Sequence, residues 1–131
     1  MDTSEQYIKM CDCPEIQNGY LYDNGDFFFD TKKKDVGVFH GKLVWLANLD
    51  MKENKIWLPR QDQIQKMMKY LSLWELMYGF WKYIQDLNYL GTKPDEYLIK
   101  NFNSMEQLWL AFYMKEKHNK VWDEDRWVKL K

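Results

Sequence analysis

The chain is poor in residues that cross-link or interrupt a fold. It has two cysteines, three prolines and six glycines among 131 residues. Cys11 and Cys13 stand two positions apart, where a bridge between them would be strained, so both read as reduced thiols. Alanine is as scarce as cysteine, present only as Ala47 and Ala111. No apolar run approaches the roughly 20 residues that span a bilayer. The opening Met1-Asp2-Thr3-Ser4-Glu5 lacks basic residues followed by an apolar stretch, so no secretion signal and a cytoplasmic setting are expected. An excess of one charge is missing too. With 19 basic and 20 acidic residues the net charge is −1, which gives no overall field to draw in a polyanion. Near neutrality also does little to oppose self-association.

What is present is apolar mass of a particular kind. Hydrophobic residues make up 46% and charged residues 30%, a globular rather than a disordered balance. A chain of this length fits a single compact domain, 1–131, that buries a core without disulfides or metal. Seven Trp, nine Tyr, seven Phe and eight Met supply that core. Trp and Tyr each carry a polar atom that wants a partner, so some rings are expected at the surface or at an interface.

Thr3 and Gln6 match a capping box, and the spacing predicts a short helix at about 4–12, stopped or kinked by Pro14. Strands are expected across roughly 19–58. Tyr20-Leu21-Tyr22 and Phe27-Phe28-Phe29 flank the turn signal Asp23-Asn24-Gly25-Asp26. Residues 36–39, 42–49 and Lys55-Ile56-Trp57-Leu58 complete an antiparallel set, because short connections forbid parallel pairing. From Pro59 the period becomes helical, with helices at about 60–71, 73–88, 94–102 and 105–117. Ser72 with Glu75 and Ser104 with Gln107 are two further capping boxes. The 73–88 helix carries Leu73, Leu76, Met77, Phe80, Trp81, Ile84 and Leu87. The whole reads as α+β, a small antiparallel sheet with helices packed on one side.

Each candidate site has a plainer explanation beside it. Cys11, Cys13, His40 and His118 could ligate zinc, but only the C-x-C pair is local. Asp23, Asp26, Asp30 and Asp35 lack the register of a calcium loop, and turn formation accounts for them. No phosphate-binding, dinucleotide, zinc-protease or nucleophile-elbow motif occurs. No catalytic residue, metal or cofactor is therefore assigned, and no enzyme is expected. Lys32, Lys33, Lys34, Lys66, Lys69, Lys115, Lys117 and Lys120 among so many rings could make a stacking surface for single strands. The neutral balance favours solvated faces instead. Trp57, Arg60 and Gln61 mark a strand-to-helix corner. Their residue types suit an exposed protein-binding patch, although Pro59 at a helix start explains the segment as well.

The stretch Trp57-Leu58-Pro59-Arg60-Gln61-Asp62-Gln63-Ile64-Gln65 resembles a phrase in small phage and prophage proteins of unassigned function. Tyr7-Ile8-Lys9-Met10-Cys11 with Glu15-Ile16-Gln17, and Ser104-Met105-Glu106-Gln107-Leu108-Trp109-Leu110-Ala111-Phe112, resemble the same family. So do Met114-Lys115-Glu116-Lys117 and Val121-Trp122. Two features depart from it. Cys13-Pro14 interrupts a helix that would otherwise run on. Asp123-Glu124-Asp125 lacks the glycine expected in the last turn, which leaves 120–130 open between a hairpin and a tail. The resemblance implies a phage-related origin and a cytoplasmic setting, and brings no activity or catalytic residues. The expected function is that of a non-catalytic accessory protein that binds another protein, self-association included. A single-strand nucleic-acid module is the alternative, and an enzyme of unrecognised type the second.

Overall fold

Ser4, not Thr3, starts the first helix. Its hydroxyl accepts the Tyr7 amide at 3.2 Å, which satisfies a donor the helix cannot. The computed structural model describes residues 1–20, 22–40, 53–70, 72–87, 96 and 100–131. Contacts among them group into two compact units, Met1–Arg60 and Gln61–Lys131. The sequence expectation of an α+β fold with small antiparallel sheets holds.

In the first unit, α1 (Glu5–Cys11) buries Tyr7, Met10 and Cys11 on one face. Cys13 and Pro14 end it as expected, and Pro14 opens a second, four-residue helix, α2 (Pro14–Gln17). Three strands follow, β1 (Phe27–Asp30), β2 (Asp35–Val38) and β3 (Lys55–Leu58), in the order β2-β1-β3 with both pairings antiparallel. Helices α1 and α2 both pack on β3. Gln17 fastens β3 further. Its amide nitrogen donates to Trp57 O at 3.0 Å and Cys11 O at 2.9 Å, and its oxygen accepts from Trp57 N at 2.9 Å. A side chain thereby does for Trp57 what a neighbouring strand would do. Tyr7 locks the end of β3 by donating its hydroxyl to Pro59 O.

The hairpin sits elsewhere than the sequence reading placed it. Tyr20 and Tyr22 are not in a strand paired with Phe27–Asp30. The reason is backbone hydrogen bonding: Gly25 N donates to Phe39 O and Phe39 N to Asp26 O, both at 2.8 Å, so this stretch pairs with the residues after β2. The turn at Asp23 to Asp26 forms, with Gly25 at φ +89°. The hairpin turn itself is 31–34, between β1 and β2. There Asp30 Oδ1 accepts the amides of Lys32 at 2.9 Å and Lys33 at 3.0 Å. The Lys33 amide does most to hold the Asp30 carboxyl below the usual carboxylate range; the Lys32 amide and Lys55 add to it, against the effect of burial. Phe28 faces Gly37 across the pair, and a Cβ at Gly37 would lie 2.5 Å from the Phe28 ring. The strand expected over 42–49 lies outside the described residues.

In the second unit, α3 (Gln61–Met67) is shorter than expected, because Lys69 turns left-handed at φ 57°. Helices α4 (Leu73–Gln85) and α5 (Met105–His118) start where the capping boxes predict. Ser72 Oγ accepts from Glu75 N at 3.2 Å and Ser104 Oγ from Gln107 N at 3.1 Å. The Gln107 side chain is fully buried and accepts the Asn103 amide at 3.0 Å, tying down the approach to α5. Glu96, Lys100 and Asn101 are helical, and the rest of the expected 94–102 helix lies outside the described residues.

Asn119, left-handed at φ 53°, closes α5 by donating to Lys115 O, with Lys115, Lys117 and His118 in the last turn. The chain then forms a hairpin, β4 (Lys120–Asp123) with β5 (Arg126–Lys129), pairing Trp122 with Trp127. Its turn has no glycine; Glu124 takes the left-handed position at φ 57°. The core of this unit is built on α5. Trp109 stacks on Phe80 at 4.0 Å, and Phe112 meets Phe80, Tyr83 and Trp109. Helix α3 packs on α5 and buries Ile64.

Candidate interaction surface

Helix α4 is apolar on more than one side, and that decides its role. Leu76 and Tyr83 turn inward and are buried, as is Leu87 just beyond the helix. Leu73, Trp74, Met77, Tyr78 and Trp81 are not: they are 74%, 78%, 47%, 54% and 58% exposed. At 3.6 residues per turn these five fall within an arc of about 140°. Tyr78 and Trp81 lie against each other at 6.2 Å. Three rings and two aliphatic side chains so exposed place on the order of 700 Å² of apolar surface in water. A typical monomer's largest patch is about 300–600 Å².

Charge is confined to one flank of this face, where Glu75, Lys82 and Asp86 align. A shallow cavity of about 440 Å³ runs beside them, with Tyr70 and Glu116 also in its wall. Gly79 makes room there, since a Cβ would meet the Tyr70 hydroxyl at 2.8 Å. Burial, and then the carboxylates of Glu116 and Glu75, push the Tyr70 hydroxyl above its ordinary pKa. The flank thus carries both signs, Glu75, Asp86 and Glu116 beside Lys82, with Lys117 near the Tyr70 ring at 5.8 Å.

The residues proposed from sequence fall elsewhere. Trp57 is a buried core ring, 3% exposed, stacked on Tyr20 at 3.4 Å. Its expected exposure is therefore corrected: β3 buries Ile56, Trp57 and Leu58 alike, because α1, α2 and Tyr20 cover it. Arg60 pairs with buried Asp26 at 3.2 Å, and Gln61 is a half-buried first residue of α3. A cavity of about 350 Å³ touches Trp57, Tyr20, Tyr22 and Lys55, but the Gln17 amide in its wall is committed to backbone groups.

The aspartates serve turns, as the sequence reading has it. The Asp26 carboxylate accepts from the Tyr20 hydroxyl and the Asp23 amide, and Asp23 Oδ1 from the Asn24 amide. Cys11 is buried and Cys13 half-buried. Burial raises the Cys11 thiol pKa well above its ordinary value. Among the described residues, no three His, Cys, Asp or Glu side chains are placed to hold a metal ion. His118 lies 3.3 Å from the Tyr113 hydroxyl. No helix among the described residues is long and apolar enough to cross a membrane.

The chain matches no family model, no curated protein and no solved structure. The α4 face must therefore be interpreted from its own chemistry. The sequence places Leu73, Met77 and Trp81 on the same helix as the buried Leu76 and Leu87 without separating an inner from an outer face. The available signal was the excess width of that stripe. Apolar residues at 73, 74, 76, 77, 78, 80, 81, 83 and 84 go most of the way round a helix, more than one contact face requires.

Proposed function

We propose that this chain is a non-catalytic accessory protein whose outer α4 face binds another protein chain. The observation that carries the proposal is the exposure of Leu73, Trp74, Met77, Tyr78 and Trp81 on one arc. Trp and Tyr are the residues in which interface hot spots concentrate. Uncompensated exposure of this size costs solubility, and a partner that covers it recovers the burial. The phage-related, cytoplasmic setting we propose rests on the phrases at 57–65 and 104–112.

The test is site-specific photo-crosslinking in cells. A benzophenone amino acid placed at Tyr78 is expected to capture a discrete protein adduct, and the same probe at exposed Asp123 is not. Changing Trp74 and Trp81 to glutamate should abolish the adduct. An adduct unaffected by those changes, or none from Tyr78, contradicts the proposal.

A further inference from the structure

The cavity of about 440 Å³ borders the exposed arc of α4, and Tyr78 belongs to both. On the helix Lys82, Glu75 and Asp86 stand about 40–80° round from Tyr78. The lining combines two chemistries. Tyr70, Tyr78 and Tyr83 supply rings, and Glu75, Asp86 and Glu116 set three carboxylates against the single ammonium of Lys82. Among the described residues, none of these four charged side chains is in an ion pair. The negative excess reaches the rings: after burial, the carboxylates of Glu116 and Glu75 are what raise the Tyr70 hydroxyl pKa. The Tyr70 ring already attracts one cation of the chain itself, with Lys117 Nζ 5.8 Å from its centre.

From this combination we infer that the cavity seats an arginine side chain of the protein that α4 binds. The inference rests on the proposed binding role of α4 and specifies the partner: a segment that lays apolar residues on Trp74 and Trp81 and sets an arginine beside them. A partner on the apolar arc cuts the neighbouring carboxylates off from water, which is costly unless a positive group arrives with it. Lys82 offsets one of the three, so the partner supplies the rest. Rings and carboxylates together select a guanidinium. It is planar, stacks on aromatic faces, meets a carboxylate with two parallel N–H donors and is more weakly hydrated than an ammonium. The volume stands at the lower end of the roughly 300–1,000 Å³ of small-ligand pockets, room for one side chain.

The probe is N-acetyl-arginine methylamide, followed by amide chemical shifts of the isotope-labelled full chain at low salt. Its citrulline counterpart, of the same shape without the charge, is the control. The arginine compound is expected to shift the Gly79 and Glu116 amides with a dissociation constant on the order of 1–10 mM, and the citrulline compound to leave them unmoved. Asp86→Asn with Glu116→Gln should weaken binding about tenfold with an unchanged circular-dichroism spectrum, whereas Lys82→Met should tighten it about threefold. Equal responses to the two compounds, no response to either included, or binding indifferent to the substitutions, overturn the guanidinium seat.

Photo-crosslinking separates this failure from that of the proposed function. With the benzophenone moved to Met77, on the arc but outside the cavity wall, the Asp86→Asn, Glu116→Gln chain is expected to lose most of the adduct. The same yield as wild type means that the partner does not use the cavity, and the inference fails alone. No wild-type adduct from either Met77 or Tyr78 means that both fail.

Discussion

Trp109→Ala and Trp74→Ala should differ in effect by about 3–4 kcal/mol. Trp109 is 2% exposed, stacks on Phe80 at 4.0 Å and meets Phe112 edge-on at 5.8 Å. Its removal leaves a cavity lined by rigid rings that cannot close it, for a cost of about 3–5 kcal/mol. Trp74 is 78% exposed, and its removal from a monomer should change stability by no more than about 0.5 kcal/mol. With a urea slope of about 1–3 kcal/mol per molar, the first substitution lowers the midpoint by roughly 2 M and the second hardly moves it. The assay is urea unfolding followed by far-ultraviolet circular dichroism, at concentrations near about 1 μM so that association does not contribute. Equal losses from the two substitutions would refute the division of the rings into core and contact surface.

Three further outcomes follow from the first unit. Gln17→Ala removes three hydrogen bonds to Cys11 and Trp57 backbone groups and should cost about 2–4 kcal/mol by thermal or urea unfolding; a change below about 0.5 kcal/mol would show that the Gln17 contacts to β3 contribute little. One thiol should react with a disulfide reagent at mildly alkaline pH in the folded chain, that of half-buried Cys13, and two after unfolding; a Cys11 that reacts as fast as Cys13 contradicts its burial and raised pKa. Asp30 has a folded pKa below its unfolded value of about 3.9, so its contribution is present above that pH and lost as pH falls through the folded pKa. Melting temperatures of wild type and Asp30→Asn should therefore differ at neutral pH and converge in acid; a constant gap is the contrary result.

The local hydrogen-bond chemistry was legible in the sequence. Ser72 and Ser104 cap the helices that their capping boxes predict, and Pro14 divides the first helical region as its ring demands. Lys55 to Leu58 forms the expected strand. What was not legible depends on tertiary partners. The Tyr20-Leu21-Tyr22 run has strand composition, but Phe39 takes the backbone groups of Gly25 and Asp26. Trp57 has the composition of a hot spot, yet Gln17, forty residues away in sequence, and Tyr20 enclose it. The outer face of α4 was obscured because an apolar residue gives the same pattern whether it packs inward or awaits a partner. Only the surplus of apolar positions distinguished the two.

The claim on which the functional account depends is that Trp74 and Trp81 face water in the isolated folded chain. Covalent tryptophan modification at about 0.1 μM, mapped by peptide mass spectrometry, measures this directly at a dilution that disfavours association. The account predicts that Trp74 and Trp81 react well before Trp57, Trp109 and Trp122, which are at most 3% exposed. Protection of Trp74 and Trp81 equal to that of Trp109 would contradict it.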